Sequence, residues 1–450
     1  MAVSRYRVAI VGGAGMWGRH YLRVFAEHPD CEVVGLVDQA RERRQEFAAR
    51  YNVQAQYDTV EELLSHTVPD IVAAVVPVSQ NYPVVKACAE AGVRVVSCEK
   101  PISAVLSEAD AMVELCRERG TLLGCGQAAW ATPHMPQVIQ WVHAGNIGRL
   151  TGAAIPGGLP VEVSGAGCVQ LAVLRLLTQQ EAAWVEGWEL PMVTGYVAPD
   201  TPPLQADVPV YGRIGLSGDI VCEVPQPGDE AHPATLVAVT GENGRVWLAR
   251  PRPVLIQGTG ARSGPVFPEF LDEQPDDFFS GSILRLLKAL DTGEEPLSSG
   301  DDYRKALETA IAFKLSAADG HRRVSLPLPD RSHRLLPHPY RLYGGDVAGW
   351  QSIGYPGPPR VPLDLNAVAE FDELTSVSYQ DIRRLFKAVE PADLALALLD
   401  APKIMRKRAV MGLPAGLKAA VQEHMEALSQ ATPEEIEKAK DRIVALARRL

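Results

Sequence analysis

Val8-Ala-Ile-Val-Gly-Gly-Ala-Gly-Met-Trp-Gly18 is an apolar run that breaks abruptly into glycines. The apolar part reads as a strand, and Gly13-x-Gly15-x-x-Gly18 follows it directly at the start of a helical pattern. In that setting the first glycine permits a tight turn and the second lets the backbone approach a pyrophosphate. The third lets helix and strand pack closely. A phosphate then lies against the helix N-terminus, beside Met16 and Trp17, where unpaired N–H groups and the helix dipole favour negative charge. Asp38 closes the next apolar run, EVVGLVD, where a carboxylate can hydrogen-bond a ribose 2′-hydroxyl. An acid there repels a 2′-phosphate, so the spacing predicts NAD(H) in preference to NADP(H). Gln39 and Arg41 beside it leave room for the second cofactor.

Outward from that loop, short apolar runs alternate with amphipathic stretches as far as residue 127: RVAIVG, EVVGLVD, DIVAAVV, RVVSC and TLLGCG. This is the pattern of a parallel α/β sheet, and residues 1–127 are expected to form a Rossmann domain. Thr59-Val-Glu-Glu62 and Ser107-Glu-Ala-Asp110 read as helix starts. Residues 128–330 change character. Asn243-Gly244 between LVAVT and RVWLAR signals a hairpin, and helical patterns near 276–291 and 301–318 precede a strand, RRVSLPL. This predicts an α+β domain with a mostly antiparallel, open sheet. Residues 331–362 are rich in Pro, Gly, Trp and Tyr, a connector expected to pack against a domain surface. From 363 to 450 the pattern is wholly helical. Ile382, Leu385, Phe386 and Val389 mark one apolar face, and Thr432-Pro-Glu-Glu435 starts a last helix with the stripe Ile436, Ala439, Ile443, Leu446 and Leu450.

A chain of 450 residues exceeds what one core usually serves, which agrees with three domains. The net charge of -11 argues against general nucleic-acid binding, which needs a basic face. Without a membrane-length apolar run or a signal-like N-terminus, a cytoplasmic protein is expected. The seven cysteines are scattered without CxxC spacing, so they read as reduced, structural thiols, and no metal site follows.

The motif GGAGMWGRH, Pro77 in AAVVPVSQNY, the run EAGVRVVSCEKPIS and the stretch from DDFFSGSILRLLKALDTGEEPLSSGDD to HRRVSLPL resemble the Gfo/Idh/MocA oxidoreductases over residues 5–330. The resemblance implies hydride transfer to or from nicotinamide, acting on a small polar substrate, and an open sheet that builds dimers or tetramers. It places Lys100 of Glu99-Lys100-Pro101 beside the reacting oxygen as a proton-transfer group, and Glu99 near the nicotinamide ribose. An ammonium there stabilises a developing alkoxide, and desolvation lowers its pKa toward a useful range. The family's second-domain helix usually carries a His and, three residues on, an Asp. Aligned here, Val169 and Ala172 occupy those places, and neither exchanges a proton. Substitute pocket groups are Gln127, Trp130, Gln170 and His134, of which His134 alone has a suitable solution pKa. A helix-start histidine near Pro133 and Pro136 is the competing reading of His134.

FDELTSVSYQDIRRLFKAVEPADLALALLDAP and GLPAGLKAAVQEHMEALSQATPEEIEKAKDRIVALARRL resemble the C-terminal domain of the flagellar motor switch protein FliG, over 369–450. The motor's charged contact positions fall on Gly416 and His424, so the resemblance implies an interaction or oligomerisation module with a protein partner rather than a torque-generating surface. Two readings stand together. One is an NAD(H)-dependent oxidoreductase using Lys100, and the other is a non-catalytic dinucleotide-binding adaptor acting through its tail.

Overall fold

β1 (Tyr6–Val11), α1 (Gly18–Glu27), β2 (Cys31–Val37), α2 (Arg41–Arg50), β3 (Gln56–Tyr57), α3 (Val60–His66), β4 (Ile71–Ala74), α4 (Val78–Ala91), β5 (Val95–Cys98), α5 (Leu106–Arg119) and β6 (Leu122–Cys125) follow one another in strict alternation. A computed structural model describes residues 6–450 except 127–133, 193–194, 199, 229–233, 274–277, 403–404, 407, 410–412, 414 and 428–430. The six strands form one parallel sheet in the order β3-β2-β1-β4-β5-β6. Every residue of β4 and β5 is buried, as expected of strands covered on both faces by crossover helices. Strand order reverses between β1 and β4, so a crevice lies at their C-terminal ends.

Local chemistry explains the helix boundaries, with one difference from the sequence reading. Thr59 caps α3 by accepting the N–H of Glu62. Ser107, by contrast, lies inside α5, which starts at Leu106 without a side-chain cap. Ser103 takes the capping work there, accepting the Val105 N–H and donating to Glu108.

The second domain begins with α6 (Met135–His143), β7 (Leu150–Ala154) and α7 (Cys168–Thr178), and a π-helical turn, Val163–Gly167, leads into α7. There follow β8 (Ala182–Glu189), β9 (Val210–Leu216), β10 (Val221–Val224), β11 (Thr235–Gly241), β12 (Gly244–Ala249), β13 (Val254–Gln257), β14 (Gly264–Pro265), α8 (Phe278–Thr292), α9 (Gly300–Ala318) and β15 (Val324–Ser325). The nine strands form a single sheet, β14-β13-β12-β11-β7-β10-β9-β8-β15, antiparallel except for the β7–β10 pair. In β12, Gly244, Val246 and Leu248 are buried while Arg245 is exposed and Trp247 half-buried, the alternation of a sheet covered on one face. α9 lies against that covered face so closely that a Cβ on Gly187 of β8 would stand 2.7 Å from the Phe313 ring. The hairpin turn itself is Glu242-Asn243 rather than Asn243-Gly244, and neither turn residue has a positive φ. Gly244 is required for another reason: a Cβ there would meet the Ile256 carbonyl at 2.3 Å.

Met1–Gly344 and Gly345–Leu450 are two compact units. The first therefore includes the beginning of the Pro/Gly/aromatic segment. His333 accepts the Leu106 N–H, Leu335 donates to Ala104, and Leu336 donates to Gln205. This strap runs between the Rossmann domain and the second domain and ends in a short helix, α10 (Pro339–Tyr343). In the second unit, α12 (Tyr379–Ala388) and α13 (Pro391–Leu399) bury Ile382, Leu385, Phe386 and Leu394 in a core of their own, after the four-residue α11 (Gly345–Ala348). The final helix, Pro433–Ala447, has the expected Thr432–Glu435 capping box. Its buried residues are Ala439, Ile443, Val444 and Ala447, whereas Ile436 and Leu446 are half-buried and Leu450 is exposed. Gly416 and His424 are exposed.

Candidate active site

The glycine loop is shaped by more glycines than the motif names. Gly12, with φ +78°, makes the tight turn after β1, and a Cβ there would stand 2.3 Å from the Val75 carbonyl. Gly13 instead packs against Leu36, leaving no room for a methyl group. Gly18 brings α1 so near the turn that a Cβ would lie 2.0 Å from the Gly12 oxygen. No side chain caps α1, and its Arg19 and His20 N–H groups bond back to the Gly15 and Trp17 carbonyls of the loop. Met16 is half-buried, and Trp17 is exposed at the rim, edge-on to Phe278. Asp38 ends β2 with one carboxylate oxygen accepting the Ala14 N–H at 3.0 Å and the other accepting the Ala40 N–H at 2.9 Å. Gln39 beside it is exposed. A nicotinamide dinucleotide fits this chemistry: a helix N-terminus without a side-chain cap, a cradle without Cβ atoms, and an acid after the second strand.

Pro77 follows β4 and precedes α4, and a Cβ on Gly344 of the strap would stand 2.9 Å from its ring. One turn into α4, buried Asn81 donates its amide to the carbonyls of Glu99, Pro101 and Ile102. That grip fixes the Glu99-Lys100-Pro101 turn, whose Lys100–Pro101 peptide is cis. Tyr21 of α1 reaches the Glu99 carboxyl at 3.4 Å, and burial raises the pKa of that carboxyl. Lys100 donates to the Gly165 carbonyl at 2.7 Å, inside the π-helical turn of the second domain. Burial brings its ammonium down to about 8, and the Arg341 guanidinium pushes in the same direction. The buried Cys168 thiol donates to the same carbonyl at 3.5 Å.

A buried carboxylate holds the π-helical turn in place. Asp207 accepts the N–H groups of Val163, Ser164 and Gly165 and the Ser164 hydroxyl. Burial, helped by Glu162 nearby, pushes its pKa up to about 7. Glu162 is fully buried, and a Cβ on Gly165 would collide with its carboxyl group at 2.2 Å. It accepts the Arg341 Nε–H at 2.5 Å. Val161, immediately before it, has φ +67°, a left-handed conformation that costs a β-branched residue about 1–3 kcal/mol and that clusters at functional sites. On the other side of Lys100, the Tyr303 ring flanks Gly126, and its buried hydroxyl has no hydrogen-bond partner among the described residues.

Residues 6–127 match the family described as the oxidoreductase family with an NAD-binding Rossmann fold, Gfo/Idh/MocA. Residues 366–450 match the FliG C-terminal domain. The chain is 24% identical over 349 residues to D-apiose dehydrogenase of Paraburkholderia graminis, an alignment covering 72% of this chain and 90% of that one. It is 23% identical over 334 residues to myo-inositol 2-dehydrogenase of Thermotoga maritima, covering 69% and 96%. The aldose-aldose oxidoreductase structure from Caulobacter crescentus shares the fold, with a TM-score of 0.57 at 22% identity over 72% of this chain and 100% of that one.

Against the Gfo/Idh/MocA pattern, the sequence-derived pocket groups divide. Val169 and Ala172 of α7 are buried among apolar side chains. Gln170 is committed to the Gly158 carbonyl at 2.9 Å, a structural bond rather than a pocket contact. His134 is buried at the start of α6, 6.3 Å from the Phe270 ring, and no hydrogen bond among the described residues links it to Lys100. Gln127 and Trp130 lie outside the described residues. The groups gathered around Lys100 are Glu162, Cys168, Tyr303 and Arg341, none of which a motif announces.

Proposed function

We propose that this protein is an NAD(H)-dependent oxidoreductase that interconverts a hydroxyl and a carbonyl group on a small polar substrate, with Lys100 as the proton-transfer group. Gly15, Gly18 and the N-terminus of α1 would hold the pyrophosphate and Asp38 the adenosine ribose, which favours NAD(H) over NADP(H). When bound, the dinucleotide supplies a two-electron acceptor or donor at its nicotinamide. At the substrate, oxidation of a carbinol releases a hydride and the hydroxyl proton, and neutral Lys100 takes that proton. In reduction the ammonium returns it. The observation that carries the reading is the placement of Lys100, held by Asn81 and the Gly165 carbonyl, with its ammonium brought down to about 8. Proton transfer is most effective when the group's pKa lies near the working pH. The buried Tyr303 hydroxyl, without a partner among the described residues, would be a second donor to the same oxygen.

The adaptor reading draws on Val169 and Ala172, apolar where the family usually carries its His and Asp, and on the separate FliG-like unit, for which we propose a role in protein association. Titration of the full chain with NADH and NADPH, wild type and Lys100→Ala, separates the two. Tight NADH binding with carbonyl reduction that depends on Lys100 supports the oxidoreductase. Tight binding without turnover on any carbonyl or imine supports the adaptor.

A further inference from the structure

Two cations meet in this site, and the second comes from outside both sheets. The strap delivers Arg341 to Glu162, while Lys100 arrives from the Rossmann domain. The ion pair is lopsided: the Glu162 side chain is fully buried, whereas 27% of the Arg341 side chain stays exposed. Glu162 is anchored from below, since the His338 N–H also reaches its second oxygen at 3.5 Å and Gly165 closes over it without a Cβ. Tyr196 hydrogen-bonds within the same pair and stacks edge-on with His338. The guanidinium is thus held through Nε by Glu162 and bonded by Tyr196 as well, and part of the Arg341 side chain stays accessible. Arg341 is also the strongest charge acting on Lys100, and both carry positive charge. Like charges in one site repel each other, Glu162 and Glu99 offset part of that repulsion, and a bound anion would offset more. A planar guanidinium offers a carboxylate two parallel donors. On α7, Val169 and Ala172 offer a neutral polyol nothing.

We infer that the site takes a carboxylate-bearing substrate, a hydroxy acid or oxo acid of sugar size, with Arg341 holding the carboxylate while Lys100 meets the reacting oxygen. This rests on the oxidoreductase reading for its chemistry. The anion site itself does not, and its test is independent of turnover.

The test uses the full chain saturated with NADH, titrated calorimetrically with tartronate, D-glucuronate and D-glucose. Either carboxylate is expected to bind at least about tenfold more tightly than glucose, the scale of one charge-assisted hydrogen bond. Arg341→Gln should remove that preference and leave NADH affinity within about twofold. Arg341→Lys, which keeps the charge opposite Glu162, should lose about three- to tenfold for carboxylates alone and covers the case in which the glutamine variant does not fold. Glucose binding as tightly as the carboxylates, or carboxylate affinity unchanged in the folded variants, overturns the inference. If NADH does not bind, the oxidoreductase reading fails by itself. Tartronate titrated into the cofactor-free chain then decides the anion site: binding that depends on Arg341 supports it, and absence of binding overturns it.

Discussion

Replacing Asp38 with alanine tests the cofactor assignment more sharply than removing a glycine, because it shifts preference rather than abolishing binding. The carboxylate accepts N–H groups from Ala14 and Ala40, so it both shapes the glycine loop and places negative charge at the end of β2. Losing a hydrogen bond from a charged acceptor to a ribose hydroxyl costs about 1.5–3 kcal/mol, and loosening the loop adds to that. For a 2′-phosphate the sign reverses. Two unit charges about 4 Å apart repel by about 1 kcal/mol at the dielectric constant of water and about 4 kcal/mol at an effective value near 20. Asp38 is half-buried, and about 2 kcal/mol lies between these limits, equivalent to roughly thirtyfold. Wild-type protein is therefore expected to prefer NADH by about thirtyfold. Asp38→Ala should bind NADH about tenfold more weakly and NADPH more tightly, bringing the two within about threefold of each other. Nicotinamide fluorescence excited through Trp17, at low and high salt, measures both constants. Equal wild-type affinity for the two cofactors, or a ratio unmoved by the substitution, would refute the reasoning.

The remaining predictions concern the loop, the lysine, and two buried polar groups. Gly18→Ala forces a methyl group to within 2.0 Å of the Gly12 oxygen and should abolish measurable NADH binding, read by the same fluorescence titration. With the Lys100 ammonium brought down to about 8, oxidative turnover should rise and reductive turnover fall as pH passes that value. Profiles that do not change in Lys100→Arg would remove the lysine from the chemistry. Burial pushes Asp207 up to about 7, against about 4 in an unfolded chain, so the folded state holds the extra proton between those values. Its stabilising contribution is full below about pH 4 and fades as pH rises through 7; Asp207→Asn should flatten that part of a Tm-versus-pH curve. Tyr303→Phe removes a buried hydroxyl that has no partner among the described residues, so Tm should hold or rise, by up to about 1 kcal/mol of stability, while kcat/KM falls. A drop in both would point to a structural hydroxyl instead.

The amino-acid sequence determined by itself whatever rests on local periodicity and short spacing. β1, the glycine loop, α1 and Asp38 lie within one stretch of chain, and strand-turn-helix chemistry there leaves few alternatives. The helical tail was legible for the same reason, because the 3.6-residue repeat of Ile382, Leu385, Phe386 and Val389 declares its buried face. Boundaries were less legible: Ser107 looks like a cap, but α5 starts earlier because Ser103 is placed to serve Val105. The roles of individual glycines needed coordinates, since Gly12 and Gly13 are indistinguishable in the motif yet only Gly12 takes the positive φ. The tertiary structure alone decided what surrounds Lys100. Glu162, Asp207, Tyr303 and Arg341 come from the residue before the π-helical turn, a loop, α9 and a strap, far apart in the chain, and the helical pattern over 301–318 does not mark Tyr303 as a neighbour of Lys100. Arg341 meets Glu162 because a carboxylate buried beneath Gly165 requires a cation close by, and the strap that packs along both domains of the first unit brings it to that point.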